Sequence, residues 1–292
     1  MYKNLNAVSL GISGRLNELI ELALTYRFRG FDLELEPLVQ QAESRGVEHA
    51  TRFLSGGIIE IGGFDLDLDL IAKDEAFEAE LKRLPAIADV ARAVGAKTAI
   101  LTVSPYCGWR QYHETFQLHC ERIARIATAL AESSVRIALN FLAPTHHRED
   151  HGPQFIATPD SLLTLIKMID QPQVGLCVDT WHWYVGGGLV SQIEGFPGEK
   201  VFAVRVADLP QESDLGCVTE QDRLLPGETD TVPNNQWIEW LRGQDYEGAV
   251  TAYANAAQFS GTTRAQIAEQ ASESLDRLLD ASDAHQPAAT TN

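Results

Sequence analysis

Positive charge is scarce in this chain: 23 Lys and Arg stand against 41 Asp and Glu, a formal net charge of −18 over 292 residues. A phosphate backbone or an anionic bilayer is held by clustered Lys and Arg that displace counterions, so neither a nucleic-acid nor an anionic-membrane partner is expected. Cysteine is sparse as well. Cys107, Cys120, Cys177 and Cys217 are widely spaced with no Cys-x-x-Cys pair, which argues against a disulfide framework and for a reducing, cytoplasmic compartment. No apolar run is long enough to span a bilayer. The first ten residues lack the basic head, apolar block and small-residue cleavage site of a secretory signal, so none is expected. No glycine fingerprint follows the first predicted strand, which removes the main support for a doubly wound nucleotide-binding sheet.

What the chain does have is alternation. Hydrophobic residues make up 45% of it, without a compositional break before the tail. Period-2 and continuous apolar runs predict strands over 5–12, 31–35, 58–61, 97–103, 135–141, 174–178, 200–206 and 248–253. Helical spacing, Pro starts and Gly stops predict helices over 15–28, 37–53, 74–94, 113–132, 159–169, 187–195, 234–242 and 263–281. Eight strand–helix periods at this length imply one α/β domain, a (β/α)8 TIM barrel over residues 1–281. The Ala-, Thr- and Pro-rich stretch 282–292 reads as a disordered tail. Ligands of such a barrel bind at the carboxyl ends of the strands.

The stretch from Val174 to Gly188 places Asp179 and His182 where a buried strand emerges. A carboxylate and an imidazole there are positioned for chemistry. The alternative is an aspartate capping the next turn beside a histidine packed among Trp181, Trp183 and Tyr184.

Four motifs carry a resemblance: Val178-Asp-Thr-Trp-His182, Arg205-Val-Ala-Asp208, Asp222-Arg-Leu-Leu-Pro-Gly-Glu228 and Tyr246-Glu-Gly-Ala-Val-Thr-Ala-Tyr253. With them the chain resembles the xylose isomerase-like TIM barrels, which include sugar-phosphate isomerases and epimerases, inosose dehydratases and endonuclease IV nucleases. The resemblance implies a divalent metal (Mn²⁺, Mg²⁺, Co²⁺ or Zn²⁺) held by Glu, Asp, His and Glu on strands five to eight, with the two glutamates shuttling a proton. Here only Asp179 keeps its type; Asn140, Arg205 and Tyr253 stand at the other three positions. An amide is no base, and a guanidinium repels a cation. No cofactor is therefore expected, and Asp179, His182 and Asp222 are the weak candidates should a metal bind. The nuclease branch is poorly matched, with Ser104 and Leu224 where histidines are expected.

The resemblance leaves a ligand-handling set. Asp179, His182 and Arg205 are the expected reactive groups, and Asn140, His182, Arg223, Trp181, Tyr253 and Asp208 the expected ligand contacts. Arg205 is expected beside Asp179, either sharing a ligand's anionic group or forming a buried ion pair. The implied function is that of a sugar isomerase/epimerase-like protein acting on or binding a small carbohydrate or polyol. The alternative is a non-catalytic carbohydrate-binding or regulatory protein; a homo-oligomer is compatible with either.

Other groups keep two readings each. His146, His147 and His151 could build a metal site, supply a base, or lie solvated in a loop. Asp65, Asp67 and Asp69 alternate with leucines and form either a Ca²⁺ site or a polar edge. Glu34, Glu36 and Glu60 are bases if they point into the barrel mouth. Trp109, Tyr112 and Trp181 stack on sugar or fill the core. Gly186-Gly187-Gly188 either offers N–H groups to an anion or is a plain turn.

Overall fold

A computed structural model describes residues 1–54, 56–149 and 152–281, so the tail 282–292 and His151 lie outside the described residues. Eight parallel strands close in chain order, and the eighth pairs back with the first, which is the expected (β/α)8 barrel. The strands are β1 (Tyr2–Leu5), β2 (Gly30–Asp32), β3 (Glu60–Asp65), β4 (Thr98–Val103), β5 (Arg136–Phe141), β6 (Val174–Asp179), β7 (Val201–Val206) and β8 (Ala249–Ala252). Outside them run α1 (Leu16–Thr25), α2 (Glu36–Arg45), α3 (Val47–Thr51), α4 (Asp74–Val94), α5 (Tyr112–Ala131), α6 (Pro159–Ile169), α7 (Thr180–Val185), α8 (Asn234–Gly243) and α9 (Arg264–Ala281). No described helix is long and apolar enough to cross a membrane.

Local chemistry explains where the sequence reading is sharpest. α4 opens on Asp74 and Glu75, whose charge suits the positive end of the helix dipole. α6 opens on Pro159 behind Thr158, which exchanges hydrogen bonds with Ser161. Both helices occupy the residues predicted for them. Every residue of β6 and β7 is buried, because helices cover the barrel outside and side chains fill it inside.

Four predicted elements shift. β1 lies at Tyr2–Leu5 rather than 5–12; polar Lys3 and Asn4 take the pairing to β8, and the chain already turns where Gly11 N–H meets Val8 C=O at 3.0 Å. The helix predicted over 37–53 breaks at Gly46, whose φ of 85° no α-helix accepts, leaving α2 and α3. Residues 187–195 contain a 3-10 turn, Val190–Ile193, instead of a helix, and α7 follows β6 directly. β3 is displaced toward the barrel mouth and runs through Gly62-Gly63, a pair that reads as a loop.

Those glycines are in the strand because nothing larger fits. A Cβ on Gly62 would overlap the whole amide of Asn4, which lies in the barrel interior and donates to Asp32 Oδ1 (2.7 Å) and Thr251 Oγ1 (2.9 Å). The amide cannot swing away without breaking both bonds. Gly62→Ala is therefore expected to destabilise the chain by about 1–3 kcal/mol, the usual effect of overpacking. An unchanged urea midpoint would show that this interior layer yields more freely than its hydrogen bonds imply.

Candidate functional site

β6 delivers Asp179 to the barrel mouth as its last residue, 1% exposed. Asp179 does cap the next turn: Oδ1 accepts the His182 backbone N–H at 3.1 Å. It also carries an ion pair. Arg223 Nη1 lies 3.1 Å from Oδ2 and 3.3 Å from Oδ1, with both side chains buried. Burial would push the Asp179 pKa up, but Arg223, His182 and Arg205 hold it below the usual carboxylate value.

The expected partner was Arg205, and here the structure corrects the reading. Strand register does set Arg205 beside Asp179, yet its guanidinium turns to Asp65, with Nη2 2.6 Å from Oδ1. Asp65 ends β3, so the displaced strand is what carries this carboxylate to the mouth. The phenol ring of Tyr253, one residue past β8, lies under both guanidiniums, at 4.1 Å from Arg205 and 5.2 Å from Arg223. The Trp181 ring also packs on Arg223, at 4.5 Å.

Arg223 is placed by its loop. Leu224 forms an antiparallel bridge with Asp208, and Asn255 N–H donates to Arg223 C=O at 3.1 Å. Asp208 is fully buried and its carboxylate accepts backbone N–H groups of Leu209, Thr229, Asp230, Thr231 and Val232 at 2.8–3.1 Å. Its oxygens are thus occupied in folding the loop; Asp208 positions Arg223 and does not line the cavity. Trp181, fully buried, likewise backs Arg223 and stays out of the lining. Asp222 accepts the Thr219 N–H at 2.8 Å and braces the turn before Arg223.

These side chains surround a cavity of about 370 Å³ at the carboxyl ends of the strands. Asn140, Asp179, His182, Arg205, Arg223 and Tyr253 line it, together with Asp65, Asp67 and Glu220, which sequence reading did not assign to the site. His182 is buried, and its Nδ1 accepts the Ala143 N–H at 3.3 Å, which puts the proton of the neutral ring on Nε2. Burial, aided by the Arg223 charge, lowers its pKa to about 3, so it meets a ligand as a neutral imidazole. Among the described residues, Asn140 Oδ1, Arg205 Nε and Arg223 Nε are buried without a hydrogen-bond partner.

The strand ends do not fit a divalent cation. An ion coordinated by Asp179 and Asn140 would face the guanidiniums of Arg205 and Arg223, which are fixed in place and cannot ligate. A phenol replaces the last carboxylate.

The remaining candidates lie elsewhere. Glu34 is exposed, Glu36 pairs with Arg83 and Glu60 with Arg29, each pair at 2.7 Å, and none of the three lines the cavity. Trp109 is 83% exposed with the Arg110 guanidinium 4.4 Å from its ring, while Tyr112 packs on Phe116 and Phe155. The N–H groups of Gly186, Gly187 and Gly188 are used by the carbonyls of His182, Tyr184 and Trp183. Of the exposed edge Asp65, Asp67 and Asp69, the first two reach the cavity, while Asp69 accepts the Ile71 N–H at 2.9 Å. His146 and His147 converge on Glu220.

Comparison with known proteins agrees with the barrel fold. The family model described as xylose isomerase-like TIM barrel matches residues 15–280. A xylose isomerase domain protein from Alicyclobacillus acidocaldarius superposes with a TM-score of 0.84 at 24% identity, covering 97% of this chain and 99% of that one. The IOLI protein with a bound zinc atom superposes with a TM-score of 0.82 at 14% identity, over 96% and 99% of the two chains. An inosose isomerase from Halalkalibacterium halodurans is 24% identical over 117 residues, 40% of this chain and 38% of the relative's length.

Proposed function

The chain belongs to the xylose isomerase-like TIM barrel family, and on that premise we propose that its mouth cavity binds a small uncharged polyol or carbohydrate of the inositol, inosose or ketose size. One observation carries the reading. Both guanidiniums at the mouth are already paired with carboxylates, Arg223 with Asp179 and Arg205 with Asp65, and Asp67 and Glu220 add negative charge to the lining, while Asn140 Oδ1 and two guanidinium Nε–H groups remain without partners. Ring hydroxyls both donate and accept, so they satisfy such a mixed set without bringing a new charge into a buried site. A phosphorylated ligand would have to break one of the pairs. The names of the relatives, inosose isomerases among them, point to the same ligand size.

The strand-end chemistry supports binding over metal-assisted proton shuttling, since Asn140 and Tyr253 stand where a carboxylate pair would be needed. Turnover of the same ligand is the second reading, favoured by Asp65, a carboxylate that remains 54% exposed despite its contact with Arg205. Incubation in D2O separates the two. Deuterium entering a bound inosose or ketose beside its carbonyl would establish proton abstraction; tight binding without exchange would establish a binding protein.

Arg205→Ala is expected to weaken binding of the best polyol by about 10–100-fold, the loss typical of charged hydrogen bonds. The fold should survive, because Asp65 is left half-exposed and is solvated by water. Calorimetric titration of an inositol and ketose panel checks this, and unchanged affinity would remove Arg205 from the site.

A further inference from the structure

His146 and His147 belong to the 3-10 turn Thr145–His147 between β5 and α6, held by an Arg148 N–H to Thr145 C=O bond of 2.9 Å. Glu220 opens another 3-10 turn, Glu220–Asp222, between β7 and α8, which Thr219 and Asp222 brace from within. Consecutive side chains of an extended segment would point to opposite sides. The turned backbone instead brings both imidazoles to one carboxylate. His147 Nε2 lies 2.6 Å from Glu220 Oε1 and His146 Nε2 3.3 Å from Oε2, with the two ring centroids 4.0 Å apart. One ligand atom from each residue lies within 4.8 Å of the others, and among the described residues no other three His, Cys, Asp or Glu side chains meet in this way.

We propose that His146, His147 and Glu220 form a Zn²⁺ site on the rim of the cavity. Two imidazole nitrogens and one carboxylate oxygen are a donor set that zinc accepts, and three protein ligands leave its fourth position open. The three side chains are 39%, 28% and 31% exposed, so an ion has a path in from solvent. Glu220 also lines the cavity beside His182 and Arg223, so an ion held there would border the ligand space. A zinc ion here ties two mouth loops together and sets a Lewis acid at the edge of the polyol pocket. It lies off the strand-end positions that the two arginines close to cations.

The test uses the full chain after chelator treatment and buffer exchange, with Zn²⁺ alone as titrant. One equivalent should bind per chain. His147→Gln and Glu220→Gln should each weaken it by more than the roughly 10–100-fold typical of losing an outer-shell contact. Both positions are partly exposed, so each variant should stay folded without zinc. Asn140→Ala, at a strand end, should retain the zinc whether or not polyol binding is lost. Co²⁺ in place of zinc should give visible absorption that both rim variants lose. Absence of stoichiometric binding, wild-type zinc affinity in either rim variant, or loss of zinc in Asn140→Ala overturns the proposal.

Discussion

Arg223→Met is expected to lower the unfolding free energy by about 3–5 kcal/mol, the effect of leaving one partner of a buried ion pair alone. Asp179 is the partner left behind. It is 1% exposed, so water cannot replace the two contacts at 3.1 and 3.3 Å, and its remaining hydrogen bond comes from the His182 N–H. Methionine keeps the bulk between Trp181 and Tyr253, so the loss reports on charge more than on a cavity. Pairing the change with Asp179→Asn should restore much of the stability, because the orphaned charge goes with it. Urea unfolding of the two single variants and the double variant measures the coupling. Additive losses would mean that the pair is not energetically coupled. The contrast with Arg205 is the point of the experiment: its carboxylate partner is solvated, and its removal is expected to be felt in binding instead.

Between pH 6 and pH 5 the chain is expected to lose stability at about 1.4 kcal/mol per pH unit, a net of one proton. His182 and His119 are both buried, and burial lowers their pKa values to about 3 and about 4. An unfolded histidine titrates near pH ~6.5. Each therefore contributes stability that is complete above that value and is lost as pH falls toward the folded pKa, because the unfolded chain takes up the proton first. Asp32 acts with the opposite sign. Burial raises its pKa to about 6, so the folded chain binds a proton there before the unfolded one does, and acid stabilises it over this range. Two histidines less one aspartate leave a slope of about one proton. His182→Gln should bring that slope near zero, measured from urea midpoints between pH 5 and pH 6. A slope unchanged from wild type would show that His182 titrates normally and is not held neutral at the site.

Much of the barrel was legible from local pattern. α4 and α6 are long, capped and amphipathic, and they lie on the predicted residues. β6 announces itself as a buried run ending in Asp179. Each of these signals is contained within a few turns of chain, where backbone geometry and side-chain period act together. β1 and β3 were harder to place. Lys3 and Asn4 do not look like strand residues, and Gly62 looks like a break until the Asn4 amide is packed against it.

The sequence by itself determined the fold class and pointed to six of the side chains that line the cavity, Asn140, Asp179, His182, Arg205, Arg223 and Tyr253, while it missed Asp65, Asp67 and Glu220 and put Trp181 and Asp208 in the lining rather than behind it. Only the tertiary structure decided which of them face each other. Arg223 rather than Arg205 takes Asp179, because Asp208 gathers five backbone N–H groups, and the Leu224 bridge to it carries Arg223 over Trp181. Arg205 turns to Asp65 because β3 runs further toward the mouth than its glycines suggest. Glu220 reaches His146 and His147 from a loop more than seventy positions away in sequence. Periodicity is a property of neighbours in the chain, whereas an ion pair is chosen by what closure of the barrel and its loops brings within about 4 Å, and no pattern along the sequence encodes that distance.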